Sequence, residues 1–261
     1  MMLFHKEHEL AVRAAKVAGH ILKGIQRDQS QSVSVSGKDI HLEADQKSEK
    51  KILELLRRES PHPILSTENA VQDTINPGGF YWIVDPLDGT INYWKTLPLS
   101  CVSIALWNGN IPIVGVVYDF NHEQFFEAVT GQAATCNNKP IKVSTASQSK
   151  NSILATGFPS NINPQALWNH ENESITAFIK QVQPFKKVRM LGSAALSLAY
   201  VACGKLDAYF EEDIYWWDAA AGVALVKSVG GFVDVKFSKT HQWGCTVKAA
   251  SQESVWKENE S

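Results

Sequence analysis

The sequence predicts a layered α+β protein, with two amphipathic helices, then an antiparallel sheet, then an alternating α/β half. Three observations carry this. Apolar residues recur at three- and four-residue steps near the N-terminus. A hairpin signal joins two β-prone runs in the middle. Strand and helix patterns alternate beyond residue 152.

The first helix is marked by Phe4, Ala11, Ala14, Ala15, Ala18, Ile21, Leu22 and Ile25, and the polar stretch 29–37 interrupts it. A second helix is expected over 45–59, apolar at Ile52, Leu53, Leu55 and Leu56 and stopped by Pro61 and Pro63. Residues 81–84 form a short β-prone run. Runs 101–107 and 111–118 flank Asn108-Gly109, a dipeptide suited to a tight hairpin, and 124–128 is the next strand. The Ser-, Thr-, Gln- and Lys-rich stretch 144–152 separates an N-terminal half, 1–146, from a C-terminal half, 147–261. In the second half, strands are expected at 153–156, 188–191, 208–210 and 232–235, and helices at 165–183, 193–202 and 219–229.

Composition narrows the function. A net charge of −2 offers no basic field for a nucleic-acid polymer or an anionic membrane. No apolar run approaches the roughly 18 residues that span a bilayer, and the N-terminus lacks the order of a signal peptide. Cys101, Cys136, Cys203 and Cys245 form no C-x-x-C pair and are expected as thiols in a reducing compartment. The cytoplasm is the expected location.

The chemistry concentrates in Asp85-Pro86-Leu87-Asp88-Gly89-Thr90, which follows the apolar run Trp82-Ile83-Val84. Two carboxylates three residues apart suit a hard, oxygen-preferring cation such as Mg²⁺. A turn fixed by Pro86 and a helix opening at Gly89-Thr90 would present N–H groups to a phosphate. On local pattern alone, Asp88 reads equally well as a helix cap. Asp45 reads as a cap of the second helix, Glu68 as a surface glutamate, and Ser193 in Gly192-Ser193-Ala194-Ala195 as an N-cap. Asp218, in Trp216-Trp217-Asp218-Ala219-Ala220-Ala221-Gly222, lies at a helix start, where N–H groups can hold one oxygen while the other faces a site. Glu211 stands in an acidic run with Glu212 and Asp213, which by itself reads as surface.

Taken together, Asp-Pro-Leu-Asp-Gly-Thr at 85–90, Glu68 upstream, Trp-Asp-Ala-Ala-Ala-Gly at 217–222, Thr156-Gly157-Phe158-Pro159 and Gly192-Ser193-Ala194-Ala195 closely resemble the inositol monophosphatase family, from about Asp45 to Gly231. The resemblance implies an α–β–α–β–α sandwich of the inositol monophosphatase and fructose-1,6-bisphosphatase type. It implies a phosphomonoesterase with two or three Mg²⁺ ions. Asp85 would bridge two of them, Glu68 and the Leu87 carbonyl would complete the first, and Asp88 and Asp218 the second. Thr90 would orient a water and relay a proton toward Asp45 or Glu68. The backbone of Gly89 and Thr90 would hold phosphate, while Glu211 and the backbone of Gly192, Ser193 and Ala194 would meet substrate hydroxyls. It further implies a homodimer, lithium sensitivity and a small phosphate ester as substrate. Inositol monophosphate is favoured over fructose 1,6-bisphosphate, histidinol phosphate and adenosine bisphosphates, because Ile91 stands where the nucleotidase branch usually carries a charge. A weakly catalytic binding protein is the alternative from another class. Asn69 departs from the family pattern, which often has a second glutamate there.

Overall fold

The computed structural model describes residues 4–28, 33–36, 39–67, 74–76, 78–159 and 173–257. Two helices, α1 (His5–Asp28) and α2 (Glu43–Glu59), bracket a hairpin of β1 (Val33–Ser36) and β2 (Asp39–Leu42). The first large sheet comprises β3 (Ile64–Ser66), β4 (Phe80–Asp88), β5 (Cys101–Asn108), β6 (Ile111–Asp119), β7 (Gln124–Val129), β8 (Thr135–Cys136) and β9 (Lys139–Pro140), in that spatial order. A short helix α3 (Thr90–Trp94) leaves the end of β4. The second half contains β10 (Ile153–Thr156), α4 (Glu173–Val182), β11 (Lys187–Arg189), α5 (Ala194–Ala202), β12 (Ala208–Tyr215), α6 (Trp216–Ser228), β13 (Phe232–Phe237), β14 (Gly244–Ala250) and α7 (Ser254–Lys257). Its sheet has the order β11-β10-β12-β14-β13.

Strand alternation sets the layers. On β4 and β5, Trp82, Val84, Val102, Ile104 and Leu106 face one way and pack with α1 and α2. Tyr81, Ile83, Cys101, Ala105 and Trp107 face the other way, into a core that α5 and α6 share with the second sheet. Phe210, Ala208 and Leu154 point outward from the second sheet onto Phe185 and the Trp256 of α7. The architecture is therefore α–β–α–β–α, with α5 and α6 as the middle layer. Both are built from small residues: Ala194, Ala195, Ala199 and Ala202 on α5, and Ala219, Ala220, Ala221 and Ala224 on α6. Short side chains let the two sheets approach from either side. Among the described residues no helix is long and apolar enough to cross a membrane. All four cysteines are free thiols.

Several elements differ from the sequence expectation. The 29–37 break contains the start of a hairpin. The first sheet is not wholly antiparallel, since β3 pairs in parallel with β4. The Gly109-Asn110 pair makes the hairpin turn, because Asn108 and Ile111 close the ladder and Gly109 has φ 54°. No turn follows Asp85; the strand continues to Asp88. β12 runs on through the acidic run to Tyr215, and α6 starts at Trp216 rather than Ala219. β14 and α7 were not anticipated. Of the helix expected at 165–183, the described part is α4.

Gly115 of β6 lies against α6 with no room for a side chain. A methyl there would come within 2.7 Å of Ala224 Cβ and 2.8 Å of the Ala221 carbonyl oxygen. Gly115→Ala should therefore lower stability by about 1–3 kcal/mol. In urea unfolding this would appear as a lower midpoint at an unchanged m-value.

Candidate functional site

Asp85 and Asp88 are three residues apart, so a regular strand would send them to opposite faces. The ladder with β5 is irregular at this point. Asp85 lies opposite Ser103 and Asp88 opposite Cys101, so three steps on β4 match two on β5. The extra residue forms a bulge, and both carboxylates face the middle layer. Pro86 fits there because it has no N–H to give to the ladder. Two further contacts hold the bulge. Ser48 Oγ of α2 donates to the Pro86 carbonyl at 2.9 Å, and the Leu87 N–H donates to Asp85 Oδ1 at 3.0 Å.

The middle layer supplies the rest. Asp88 Oδ2 accepts from the Ala195 N–H at 2.8 Å and from the Ser193 hydroxyl, while Ser193 also caps α5 by accepting from the Leu196 N–H at 3.2 Å. Cys101 Sγ lies 3.7 Å from the same oxygen. Asp218 sits at the third position of α6, where its Oδ2 accepts from the Tyr215 N–H at 2.9 Å. One oxygen of each aspartate is thus fixed by protein donors. Thr90 Oγ1 donates to the Leu87 carbonyl at 3.0 Å. Gly89, at φ 84°, has room only for a hydrogen, since a methyl would meet the Leu99 carbonyl oxygen at 2.6 Å. Asn92 Nδ2 donates to the Leu99 carbonyl before β5 at 2.8 Å, and ties α3 to the turn before α5 through the Leu191 carbonyl at 2.7 Å.

Electrostatics set these carboxylates apart from ordinary ones. Burial, and then the like charges of Asp88, Asp218 and Asp45, hold the Asp85 carboxyl well above its usual range. Burial, and then the charge of Asp88, raise Asp218 in the same way. Asp88 is raised by burial, with Ser193 and Ala195 opposing. Oxygen donors of one sign in a buried site fit hard divalent cations, which would reverse every one of these repulsions. Glu68 lies outside the described residues. Among the described residues no group of three acidic, histidine or cysteine side chains is by itself arranged to hold a metal ion.

Asp45 is buried, as the third residue of α2 rather than its cap. The Ala194–Ala195 backbone is turned onto Asp88 instead of outward. Glu211 is not part of a solvated run. β12 has its own irregularity between Glu211 and Ile214, and Glu211 pairs with Val247 on the middle-layer face. Burial and the Asp88 charge push its carboxyl up to about 7, against a hydrogen bond from Tyr209. Ser48, Cys101 and Tyr209 were missed at the sequence level, although Tyr209 precedes Glu211 by the two-residue step that puts both on one strand face. Trp216 is core, edge-on to Trp107 and Phe237. Tyr215 is exposed and stacks on Trp217 at 4.6 Å. A cavity of 530 Å³ lined by Ile111, Val129 and Lys227 lies near the C-terminal end of α6. It has no acidic side chain, so the carboxylates rather than cavity size locate the chemistry.

A sequence model described as the inositol monophosphatase family matches residues 5–258. The chain is 43% identical to the inositol-1-monophosphatase of Synechocystis over 75% of this chain and 66% of that protein. It is 35% identical to the Nus factor SuhB of Escherichia coli K12 over 93% of this chain and 89% of that one. The structure of an inositol monophosphatase from Anabaena superposes with a TM-score of 0.78 at 35% identity, covering 97% of this chain and 92% of the other. The extragenic suppressor protein suhB of Bartonella henselae gives 0.82 at 30% identity, over 97% and 96%.

The Glu211 carboxyl rises from an ordinary 4.5 to about 7. The folded state therefore binds its proton more tightly than the unfolded state, and stability falls as pH rises between these values. The loss reaches roughly 3 kcal/mol and is complete above pH 7. With a chelator present, Glu211→Gln should flatten this slope and melt higher than the parent at pH 8. Thermal melts at pH 5 and pH 8 measure it.

Proposed function

The chain belongs to the inositol monophosphatase family and is a phosphatase, and on that premise we propose that it hydrolyses a small polyol phosphate, inositol monophosphate foremost, with Mg²⁺. The observation that carries this reading is the convergence of the buried Asp85 and Asp88 with the partly buried Asp218, each held above its usual range by desolvation, with like charge adding to it for Asp85 and Asp218. Asp85 would contact two ions, joined by Glu68 and the Leu87 carbonyl at one and by Asp88 and Asp218 at the other. A third ion would lie near Glu68 and Asp45. Bound there, the ions would neutralise the phosphate oxygens and acidify a water.

The chain's own residues do the rest. The N–H groups of Gly89 and Thr90 hold the phosphate at the start of α3. Thr90 orients the attacking water and passes its proton toward Asp45 or Glu68. Ser193 and the Ala195 N–H keep Asp88 in place while charge shifts. Glu211 accepts a hydrogen bond from a substrate hydroxyl, which orients the leaving group. Ile91 is uncharged and 55% exposed, and it supports a polyol over a nucleotide. The exposed Ile91, Leu97 and Met190 lie on the two segments that Asn92 joins, which supports a homodimer. Lithium inhibition and a cytoplasmic location complete the reading. Relatives named Nus factor support a second one, a regulatory or binding role.

Phosphate release from inositol 1-phosphate, fructose 1,6-bisphosphate, histidinol phosphate and adenosine 3′,5′-bisphosphate, with and without Mg²⁺, tests this. Inositol 1-phosphate should be fastest, and Asp88→Asn should lower turnover at least ~100-fold. The same variant should melt no lower than the parent in chelator, since it removes a repelled charge. Mg²⁺-independent release, or full activity in Asp88→Asn, would sink the mechanism. A partner bound equally by Asp88→Asn would favour the second reading.

A further inference from the structure

The following inference rests on the reading of Glu211 as a substrate contact. Tyr209 and Glu211 are two residues apart on β12 and share a face, and Tyr209 is fully buried. The Tyr209 hydroxyl donates to Glu211 Oε2 at 2.9 Å. The neighbouring strand β10 runs parallel, with Thr156 opposite Phe210, which sets Gly157 beside Glu211. A methyl on Gly157 would overlap Oε1 of Glu211. Gly157 is not in the left-handed region, so the requirement at this position is space and not backbone conformation. One carboxylate oxygen is therefore held by a phenol, and the other occupies the room beside Gly157, from which a side chain there would displace it. A carboxylate held by the phenol has less rotamer freedom to lose when substrate arrives.

We propose that Tyr209 and Gly157 are positioning residues that fix the Glu211 carboxylate for a hydroxyl of the leaving group, so that this trio sets selectivity for polyol phosphates over phosphate esters lacking such a hydroxyl. Neither residue touches the substrate; both act through Glu211. The inference accounts for Gly157 in Thr156-Gly157-Phe158-Pro159, a motif that the metal chemistry leaves without a task.

The test is steady-state kinetics at saturating Mg²⁺ on inositol 1-phosphate and 4-nitrophenyl phosphate. The parent is compared with Tyr209→Phe, Glu211→Gln and the double variant. Phenylalanine keeps the buried ring and removes only the donor, so the fold is kept. Tyr209→Phe should raise KM for inositol 1-phosphate about tenfold, with a smaller change in kcat, and lower the kcat/KM ratio between the two substrates by a similar factor. In the Glu211→Gln background the same change should add less than about twofold, because its route of action is already gone. Gly157→Ala should shift the ratio in the same direction. Equal losses on both substrates in Tyr209→Phe, or a full additional loss in the double variant, would overturn the proposal. If Glu211→Gln lowers the ratio and Tyr209→Phe does not, the proposal alone fails. If Glu211→Gln leaves the ratio unchanged, the reading of Glu211 fails and takes the proposal with it.

Discussion

Like charge held on one face of a buried strand is the constraint on which the rest of the site depends. Asp85 and Asp88 would point apart on a regular β4, and the bulge between them turns both toward the middle layer. Burying a carboxylate is costly unless it is hydrogen-bonded or paired. The protein supplies part of the compensation. The N-terminal donors of α5 converge on Asp88, and the Leu87 N–H serves Asp85. The remainder is electrostatic, since the charges of Asp88 and Asp218 still raise Asp85. Divalent cations bound as proposed would offset that repulsion and would link folding to cation binding.

The composition of the middle layer follows from the same constraint. For Asp218 to come near Asp88, α6 must lie close to β4 and β5, and α5 must lie close to α6. Alanines line both helices, Gly115 admits the α6 backbone, and Ser103 Oγ of β5 reaches the Trp217 carbonyl at 3.5 Å. Larger side chains would raise apolar burial and push the two halves of the site apart. The low bulk of α5 and α6 is better understood as a spacing requirement than as weak core packing. Large side chains flank this layer in the outer cores, with Trp82 and Phe120 on one side of the molecule and Phe210 and Trp256 on the other, while Trp107 and Trp216 fill the space between the sheets.

Much of this was legible from residues whose signals are local. The helical spacing of Ala11, Ala14, Ala15 and Ala18 located α1, and the glycine at 109 located a hairpin to within one residue. The capping serine at 193 located the start of α5. Asp85, Asp88 and Asp218 were legible as a set because their motifs resemble a known family. What escaped was whatever depends on a partner far away in the chain. Ser48 meets Pro86 through tertiary packing, and β14 is defined by its neighbours β12 and β13 rather than by its own pattern. Asp45 looked like a cap, since aspartates at helix starts often are, and its burial near Asp85 is a tertiary feature that the helix pattern does not carry. The acidic run 211–213 looked like surface because composition does not reveal which member a strand turns inward.

That last case shows a second use of one device. In β12, Glu211 lies opposite Val247 and Ile214 opposite Cys245, so again three steps match two across an irregular pair. The irregularity keeps Tyr209, Glu211 and Ile214 on the middle-layer face, while Asp213 takes a positive φ of 55° and stays exposed with Glu212. Each large sheet thus interrupts its ladder where it presents an acid to the space between the sheets. Regular pleating offers one inward side chain in two, at fixed intervals. A bulge changes that interval locally without changing the strand's direction through the sheet. The carboxylates of β4 and β12 can therefore be set for a ligand while the strands on either side keep the register that the hydrophobic layers require. At Asp85–Asp88 and at Glu211–Ile214 the irregularity and the acidic side chain coincide because the second needs the first.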